Sequence, residues 1–145
     1  MSRKLRQLTR VLDVAQDEMD RAEREWQAAM SELGNAQAME HQLSEFRIHY
    51  PAPQGLVSAT SLRLTQSFLG KIDEAIEQQQ SQYPRIQQKI ADKKDIWLQK
   101  QMRFKAIEKL VEMETNRQRI RAQNLADLEA DDRAALRAVL KSQHA

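Results

Sequence analysis

Three histidines and a pair of adjacent aspartates are the side chains of this sequence that could bind a metal ion or transfer a proton. His41 and His49 are eight residues apart and His144 lies at the tail, so no two share the close spacing of zinc ligands on one helix face. Asp131 and Asp132 adjoin each other, but no pocket is indicated that would raise a carboxyl pKa for acid catalysis. We therefore predict that the protein is not an enzyme and has no metal, cofactor or small-molecule substrate.

Positive charge is the other feature that could carry a binding function. The three glycines are scattered and form no phosphate-binding loop. A basic stripe follows the second half of the chain, made by Lys100, Arg103, Lys105, Lys109, Arg117, Arg119 and Arg121. Glutamates are interleaved with it, as on a solvated helix face, and no aromatic residue is expected to be exposed there for base stacking. The sequence therefore predicts no nucleic-acid partner, although a basic helical nucleic-acid binder remains an alternative.

The composition indicates which elements position these charges. Of the 145 residues, 30% are charged and 5% aromatic, with three Gly, three Pro and no Cys. Such usage is typical of long helices or coiled coils, whose buried surface is a seam between helices. The chain has neither an N-terminal apolar run nor an apolar segment of membrane-spanning length. We expect a soluble, cytoplasmic protein.

Two heptad runs fill most of the chain. The first places apolar residues at alternating steps of three and four from Leu5 to Ala36, and includes Trp26. After Ala36 we predict a one-residue shift of phase, which continues the stripe through Met39, Leu43, Phe46 and Tyr50. The second run extends from Leu62 to Val111 and is followed by polar seam residues at Glu114, Gln118 and Arg121. A sustained repeat of 3.5 residues predicts a coiled coil.

The stretch HYPAPQG at residues 49–55 separates the two runs. Pro51 disfavours helix just before it, Pro53 lengthens the break, and Gly55 permits a reversal. A link of about eight residues is too short for parallel helices, so the fold class is all-α: a long antiparallel two-helix coiled coil, or helical hairpin, with an overhanging C-terminal helix. We predict one domain over residues 1–145, with helix 1 at about 2–50, the turn at about 51–58, and helix 2 at about 59–140, kinked near Pro84.

A register follows if both helices turn at the level of residue 55. The numbers of facing residues then sum to about 110. This sum places Trp26 near Tyr83 and Ile86, and Leu5 near Phe104. Residues after about 111 would face no helix and would form the overhang.

Several short motifs follow one another in a characteristic order. The first arm ends in QLSEFRIHY, and SFLGKIDEAIEQQ follows the link at 67–79. Trp97 and Lys100, KAIEKL at 105–110 and DDRAA at 131–135 come next. In this order, over about residues 36–135, the chain resembles the FliJ family of flagellar export proteins. Thr65 and Gln66 depart from the family pattern, since many members carry an Asn-Tyr pair there.

The resemblance implies a non-enzymatic stalk of the flagellar type III protein export apparatus. FliJ-like proteins sit in the pore of the hexameric export ATPase (FliI-like), promote its activity, couple it to the export gate protein (FlhA-like), and handle empty export chaperones. The family's gate contact lies on the helix after the hairpin. The matching positions here are Phe68, Ile72 and Ala75, with Gln79 next on the same face.

The stalk resemblance also implies that the end with both termini enters the ATPase ring. The basic residues expected to contact the ATPase there are Arg3, Lys4, Arg6, Arg10, Arg117, Arg119 and Arg121. We expect a monomer, peripherally associated with the cytoplasmic face of the inner membrane at the export apparatus. Two further alternatives remain open: the equivalent stalk of a virulence type III secretion system, and an unrelated coiled-coil scaffold.

Overall fold

The computed structural model describes residues 2–51, 55 and 58–144, and two α-helices account for most of them. Helix α1 spans Arg3–His49 and helix α2 spans Ala59–Gln143. The helices pack against each other, so the predicted all-α helical hairpin is confirmed.

Each helix begins directly after a capping serine. Ser2 Oγ accepts a hydrogen bond from the backbone N–H of Leu5 at 3.1 Å, and Ser58 Oγ accepts one from Ser61 at 3.0 Å. A helix start leaves its first N–H groups without intrahelical partners, and a serine hydroxyl satisfies one of them. The SATS stretch therefore supplies the cap of α2.

The connection between the helices is only partly described. Gly55 has a φ of 82°, a left-handed conformation that glycine adopts without strain, in line with its predicted part in the reversal. The rest of the predicted turn, including Pro53, lies outside the described residues at 52–54 and 56–57.

The chain divides into two compact units. The hairpin unit is Met19–Lys100, and the terminal unit combines Met1–Glu18 with Gln101–Ala145. Each helix contributes a stretch to both units. The prediction of a single domain stays a prediction.

In the hairpin unit the helices are antiparallel, and the numbers of facing residues sum to about 120 rather than the predicted 110. Three ion pairs define this register: Arg47–Asp73 at 2.9 Å, Lys89–Glu32 at 3.1 Å and Lys93–Glu25 at 3.3 Å. Trp26 stacks on Trp97 with ring centroids 5.2 Å apart. Its predicted place near Tyr83 and Ile86 was therefore wrong.

The error lies in the assumption that both helices turn at one level. With a sum of about 120, His49 at the end of α1 lies level with about residue 71, whereas α2 already begins at Ala59. About three helical turns of α2 therefore precede the first level at which α1 faces it. The ring contact between Tyr50 and Phe68 shows the same offset.

The phase of the α1 seam is also simpler than predicted. Met39 is 48% exposed and Phe46 is exposed as well, while Glu40 and Arg47 are half-buried at the positions that continue the original repeat. The predicted shift after Ala36 was wrong, because α2 offers polar partners at these two levels. A polar residue with a partner can occupy a seam position without forcing a change of phase.

Small residues form the centre of this seam. Ala22, Ala29 and Ala36 are buried on α1, and Ile72 and Ile86 are buried on α2. Alanine at every second seam position lets two helices approach closely, and the large residues of α2 fill the remaining space. Pro84 lies inside α2, which continues through it; the predicted kink stays a prediction.

The terminal unit has the same antiparallel register. Lys4 pairs with Glu114 at 3.5 Å, and Arg103 pairs with Glu18 at 3.5 Å. Leu5 is therefore level with about residue 115, and its predicted place near Phe104 was wrong.

The start of α1 also shows where the overhang begins. The side-chain amide of Gln118 donates a hydrogen bond to the Ser2 hydroxyl. Pairing thus reaches residue 118, seven residues beyond the predicted limit of about 111. Residues 119–143 are exposed throughout and form the overhang.

Candidate functional site

Three aromatic rings gather where α1 ends in the hairpin unit. Phe46 lies in the last turn of α1, Tyr50 directly follows α1, and Phe68 lies near the beginning of α2. The Phe68 ring lies 6.0 Å from Phe46, edge to face, and 5.3 Å from Tyr50. The Phe46 and Tyr50 rings are 5.9 Å apart. Tilted and edge-to-face arrangements at these distances are favourable, so the rings hold one another in place. We call these three residues the aromatic cluster.

Two of the three residues of the aromatic cluster, Phe46 and Phe68, are exposed, and Tyr50 is half-buried. Phe68 is 42% exposed, and Phe46 is more exposed still. The register contributes to this exposure, because α2 begins about three turns before the level at which α1 ends, and Phe68 lies close to that level. Leu64 lies one helical turn before Phe68 on the same face of α2 and is exposed as well. Contiguous apolar surface of this kind is typical of a site for another protein.

The residues expected to bind the export gate divide into two groups by burial. Phe68 is exposed, whereas Ile72 is 7% exposed and lies in the seam. Ala75 and Gln79 are half-buried. The structure therefore leaves Phe68 as the member of the set with a large accessible apolar surface.

Sequence reasoning did not place Phe46 and Tyr50 in a candidate site. It assigned both to the helix–helix seam. The predicted phase shift put Phe46 there, whereas Tyr50 lies on the repeat with or without the shift. The usable signal was the polar character of Glu40 and Arg47, which continue the unshifted repeat and leave Phe46 outside it.

The residues expected to bind the ATPase are all exposed in the terminal unit. On α1 these are Arg3, Lys4, Arg6 and Arg10, and on α2 they are Arg117, Arg119 and Arg121. No acidic residue lies in the first turn of α1. The first turns of α1 therefore present positive charge without a carboxylate of their own.

The structure brings two members of this basic set together around one buried carboxylate. Glu114 is buried at a seam position, and its carboxylate lies 3.5 Å from Lys4 Nζ and 3.4 Å from Arg117 Nη1. A buried charge persists only with partners, and here both partners keep most of their side chains in solvent. Arg119 and Arg121 lie in the overhang, beyond this contact.

A second polar group interrupts the seam of the hairpin unit. Tyr83 donates a hydrogen bond from its hydroxyl to the Glu40 carboxylate, and Gln80 Nε2 donates another at 2.8 Å. The Tyr83 hydroxyl holds the pKa of Glu40 below its usual value, with a smaller contribution from Gln80. The carboxylate in turn raises the pKa of Tyr83 to about 12. These hydrogen bonds join α1 to α2 across the seam.

The described residues offer little for other chemistry. No group of three or more His, Asp or Glu side chains among them could hold a metal ion. His49 instead pairs with Glu45 of its own helix at 3.1 Å. Neither helix has a stretch, within its described residues, that is apolar enough to cross a membrane.

Comparison with known proteins gives one result. The family model described as "Flagellar FliJ protein" matches residues 3–143 of the 145-residue chain. Searches of curated proteins and of solved structures found no match. The family match covers both helices in full.

Proposed function

This chain belongs to the FliJ family, and we propose that it couples the hexameric export ATPase to the export gate protein of the flagellar type III apparatus. Family membership supports a role in flagellar export, in which FliJ proteins are non-catalytic components. The finer parts of the proposal are gate docking, ATPase stimulation and the cycling of export chaperones. In this proposal the protein is a monomer that its partners hold at the cytoplasmic face of the inner membrane.

We assign gate docking to the aromatic cluster, with Phe68 as its central residue. The supporting observation is the exposure of Phe68 between two further rings. A large aromatic side chain that is held rigid before binding loses little entropy when it enters a partner's groove. Ile72 acts indirectly in this proposal, by packing the helix that presents Phe68. Ala75 and Gln79 border the same face.

We assign ATPase contact to the exposed basic residues of the terminal unit. Exposed ion pairs contribute only about 0–1 kcal/mol each and exchange readily. A surface held by several such pairs can therefore shift between equivalent subunits of a ring without passing through a high barrier. Lys4 and Arg117 also hold Glu114, so Arg119 and Arg121 are the more available cations of α2.

Two variants separate the two assignments. Phe68→Ala should reduce binding of the purified gate cytoplasmic domain at least tenfold while leaving ATPase stimulation and helicity unchanged. Arg117, Arg119 and Arg121→Glu should abolish ATPase stimulation and spare gate binding. Its matched control reverses three exposed cations of the hairpin unit, Arg21, Arg24 and Lys94, with the same total change of charge.

The outcomes decide between the proposal and a structural role. If Phe68→Ala melts the helices, Phe68 is structural and the gate assignment fails. If the control reversal lowers ATPase stimulation as much as the reversal at 117, 119 and 121, net charge rather than this surface governs the ATPase.

A further inference from the structure

A small cavity lies in the groove between α1 and α2 in the terminal unit. Its volume is about 130 Å³, and it is lined by Lys4, Leu8, Leu110, Met113, Glu114 and Arg117. Leu110 and Met113 are each 49% exposed, and Leu8 is half-buried. The apolar side chains of both helices therefore line a recess that remains open to solvent.

The size of the recess limits what can enter it. A cavity of about 150 Å³ lined by apolar side chains holds a benzene ring. The cavity here is slightly smaller, so it fits one aliphatic or aromatic side chain and excludes a helix or a strand. Methionine adapts its shape to an incoming group, which suits Met113 to such a contact.

The charges around the recess determine which residues can flank an incoming side chain. Glu114 is the carboxylate that lines the recess, and Lys4 and Arg117 already neutralise it at 3.5 and 3.4 Å. Lys4 and Arg117 together carry one positive charge more than Glu114 removes. Arg3 and Arg6 add to this excess from the same end of α1, whose first turn has no acidic residue. An incoming apolar side chain is therefore favoured when carboxylates flank it.

We propose that this recess binds one apolar side chain from an acidic surface segment of the export ATPase. The inference rests on the proposed function, and it adds an anchor to a contact otherwise made by exposed charges alone. Exposed charge pairs are screened by salt, whereas a side chain buried in an apolar recess is not. The recess therefore gives ATPase binding a part that persists at high ionic strength, and it fixes where along α2 the ATPase segment lies.

The test measures the affinity of the full-length chain for the purified export ATPase at low and high salt. Leu110→Ala and Met113→Ala should each lower the affinity about tenfold at both salt concentrations, because each removes an apolar wall. Met113→Leu keeps the apolar volume and should stay within about twofold of wild type. Met102→Ala is the matched control, since Met102 is in the same unit, is 71% exposed and lies outside the recess. It should also stay within about twofold.

Charge reversal at Arg119 and Arg121 provides the contrasting measurement. It should weaken binding at low salt and change little at high salt, unlike the two alanine variants. Helicity by circular dichroism should be unchanged for Leu110→Ala and Met113→Ala, because both side chains are half exposed.

Each outcome has a defined consequence. If wild type binds the ATPase but Leu110→Ala and Met113→Ala behave like Met102→Ala, the recess is not an anchor and the proposed function stands. If the two alanine variants lose affinity only at low salt, the recess is likewise not an apolar anchor. If wild type does not bind the ATPase at either salt concentration, the recess proposal and the ATPase part of the proposed function are both overturned.

Discussion

In both the hairpin unit and the terminal unit the numbers of facing residues sum to about 120. The two units differ in the side chains at the last level where α1 faces α2. In the hairpin unit the last level at which α1 faces α2 is covered by the rings of the aromatic cluster. In the terminal unit it is closed by polar groups, with Glu114 held between two cations and Gln118 bonded to Ser2. The hairpin unit exposes apolar surface, and the terminal unit exposes positive charge around a small apolar recess.

The difference shows how one heptad repeat can present two kinds of docking surface. In both units the buried apolar residues of the seam are alanine, leucine or isoleucine, so neither surface comes from a change in the fold. Each comes from the level at which one helix begins or ends relative to the other. The offset of about three turns exposes Phe68, and the length of α1 determines that Ser2 meets Gln118.

The largest effect should come from Ile86, the largest side chain that is fully buried, at 1% exposure. Ile86→Ala leaves a cavity in the hairpin unit and should lower the free energy of unfolding by about 2–4 kcal/mol. Ile107→Ala is the equivalent change at a buried seam position of the terminal unit. Urea unfolding followed by circular dichroism at 222 nm measures both.

The pair of variants also tests whether the units are distinct in solution. If the units unfold separately, each variant shifts one transition and leaves the other in place. A single transition that moves equally for both variants would show that the units unfold together. The two units would then differ only in the surfaces that they expose. Ile120→Ala in the exposed overhang is the control and should change the free energy by less than about 0.5 kcal/mol.

A smaller effect is expected at Glu114, the buried carboxylate near the last paired level of the terminal unit. Glu114→Leu replaces a buried carboxylate with an apolar side chain of similar size, and its two cations can turn to solvent. Such replacements are often neutral or stabilising, so we expect the free energy of unfolding to remain constant or to rise by up to about 1 kcal/mol. A loss of more than about 1 kcal/mol in the same urea titration would mean that the ion pairs, rather than apolar contact, hold this level together.

The smallest effect is expected at the Tyr83–Glu40 pair of the hairpin unit. Because the hydroxyl of Tyr83 lowers the pKa of Glu40, the pair stabilises the fold at neutral pH, and this contribution is lost as the pH falls through the lowered value. The raised pKa of Tyr83, about 12, means that its contribution is present below pH 10 and is lost near pH 12. Tyr83→Phe should therefore raise the pKa of Glu40 towards its ordinary value of 4.5, measured by NMR titration of the carboxyl carbon.

A control uses the second donor to Glu40. Gln80→Ala should raise the same pKa by a smaller amount, because its hydrogen bond is the lesser cause. A Glu40 pKa that is the same in wild type and Tyr83→Phe would show that the hydrogen bond does not persist in solution.

The periodic part of the fold could be predicted from sequence because it depends on local spacing. The seam residues proposed from the steps of three and four are buried or half-buried from Leu5 to Ala36 on α1 and from Thr65 to Val111 on α2, whereas Leu62, the first residue of the predicted second run, is exposed. The register could not be predicted in the same way. The register depends on the offset between the level at which α1 ends and the level at which α2 begins. The repeat within either helix contains no information about that offset.

The candidate surfaces were predictable to the extent that they depend on charge and exposure. Phe68 was expected beside the seam and is exposed there. Phe46 was assigned to the seam, because the predicted phase shift left Glu40 and Arg47 outside it. Tyr50 lies on the repeat with or without the shift. Glu40 pairs with Tyr83 and Arg47 pairs with Asp73. Each partner lies more than 25 residues away along the chain, so a local pattern cannot reveal it.

The alanine repeat of the hairpin unit affects how easily α1 could slide along α2. Ala22, Ala29 and Ala36 are identical steps seven residues apart, so moving α1 by one heptad would place alanine where alanine had been. Apolar packing alone would resist such a slip weakly. The groups that do resist it are unique along the seam: a slip separates Trp26 from Trp97 and leaves the Glu40 carboxylate facing isoleucine instead of Tyr83. The coupling role that we propose needs this asymmetry, because a hairpin whose helices can slide in steps of one heptad loses the transmitted movement along its own length.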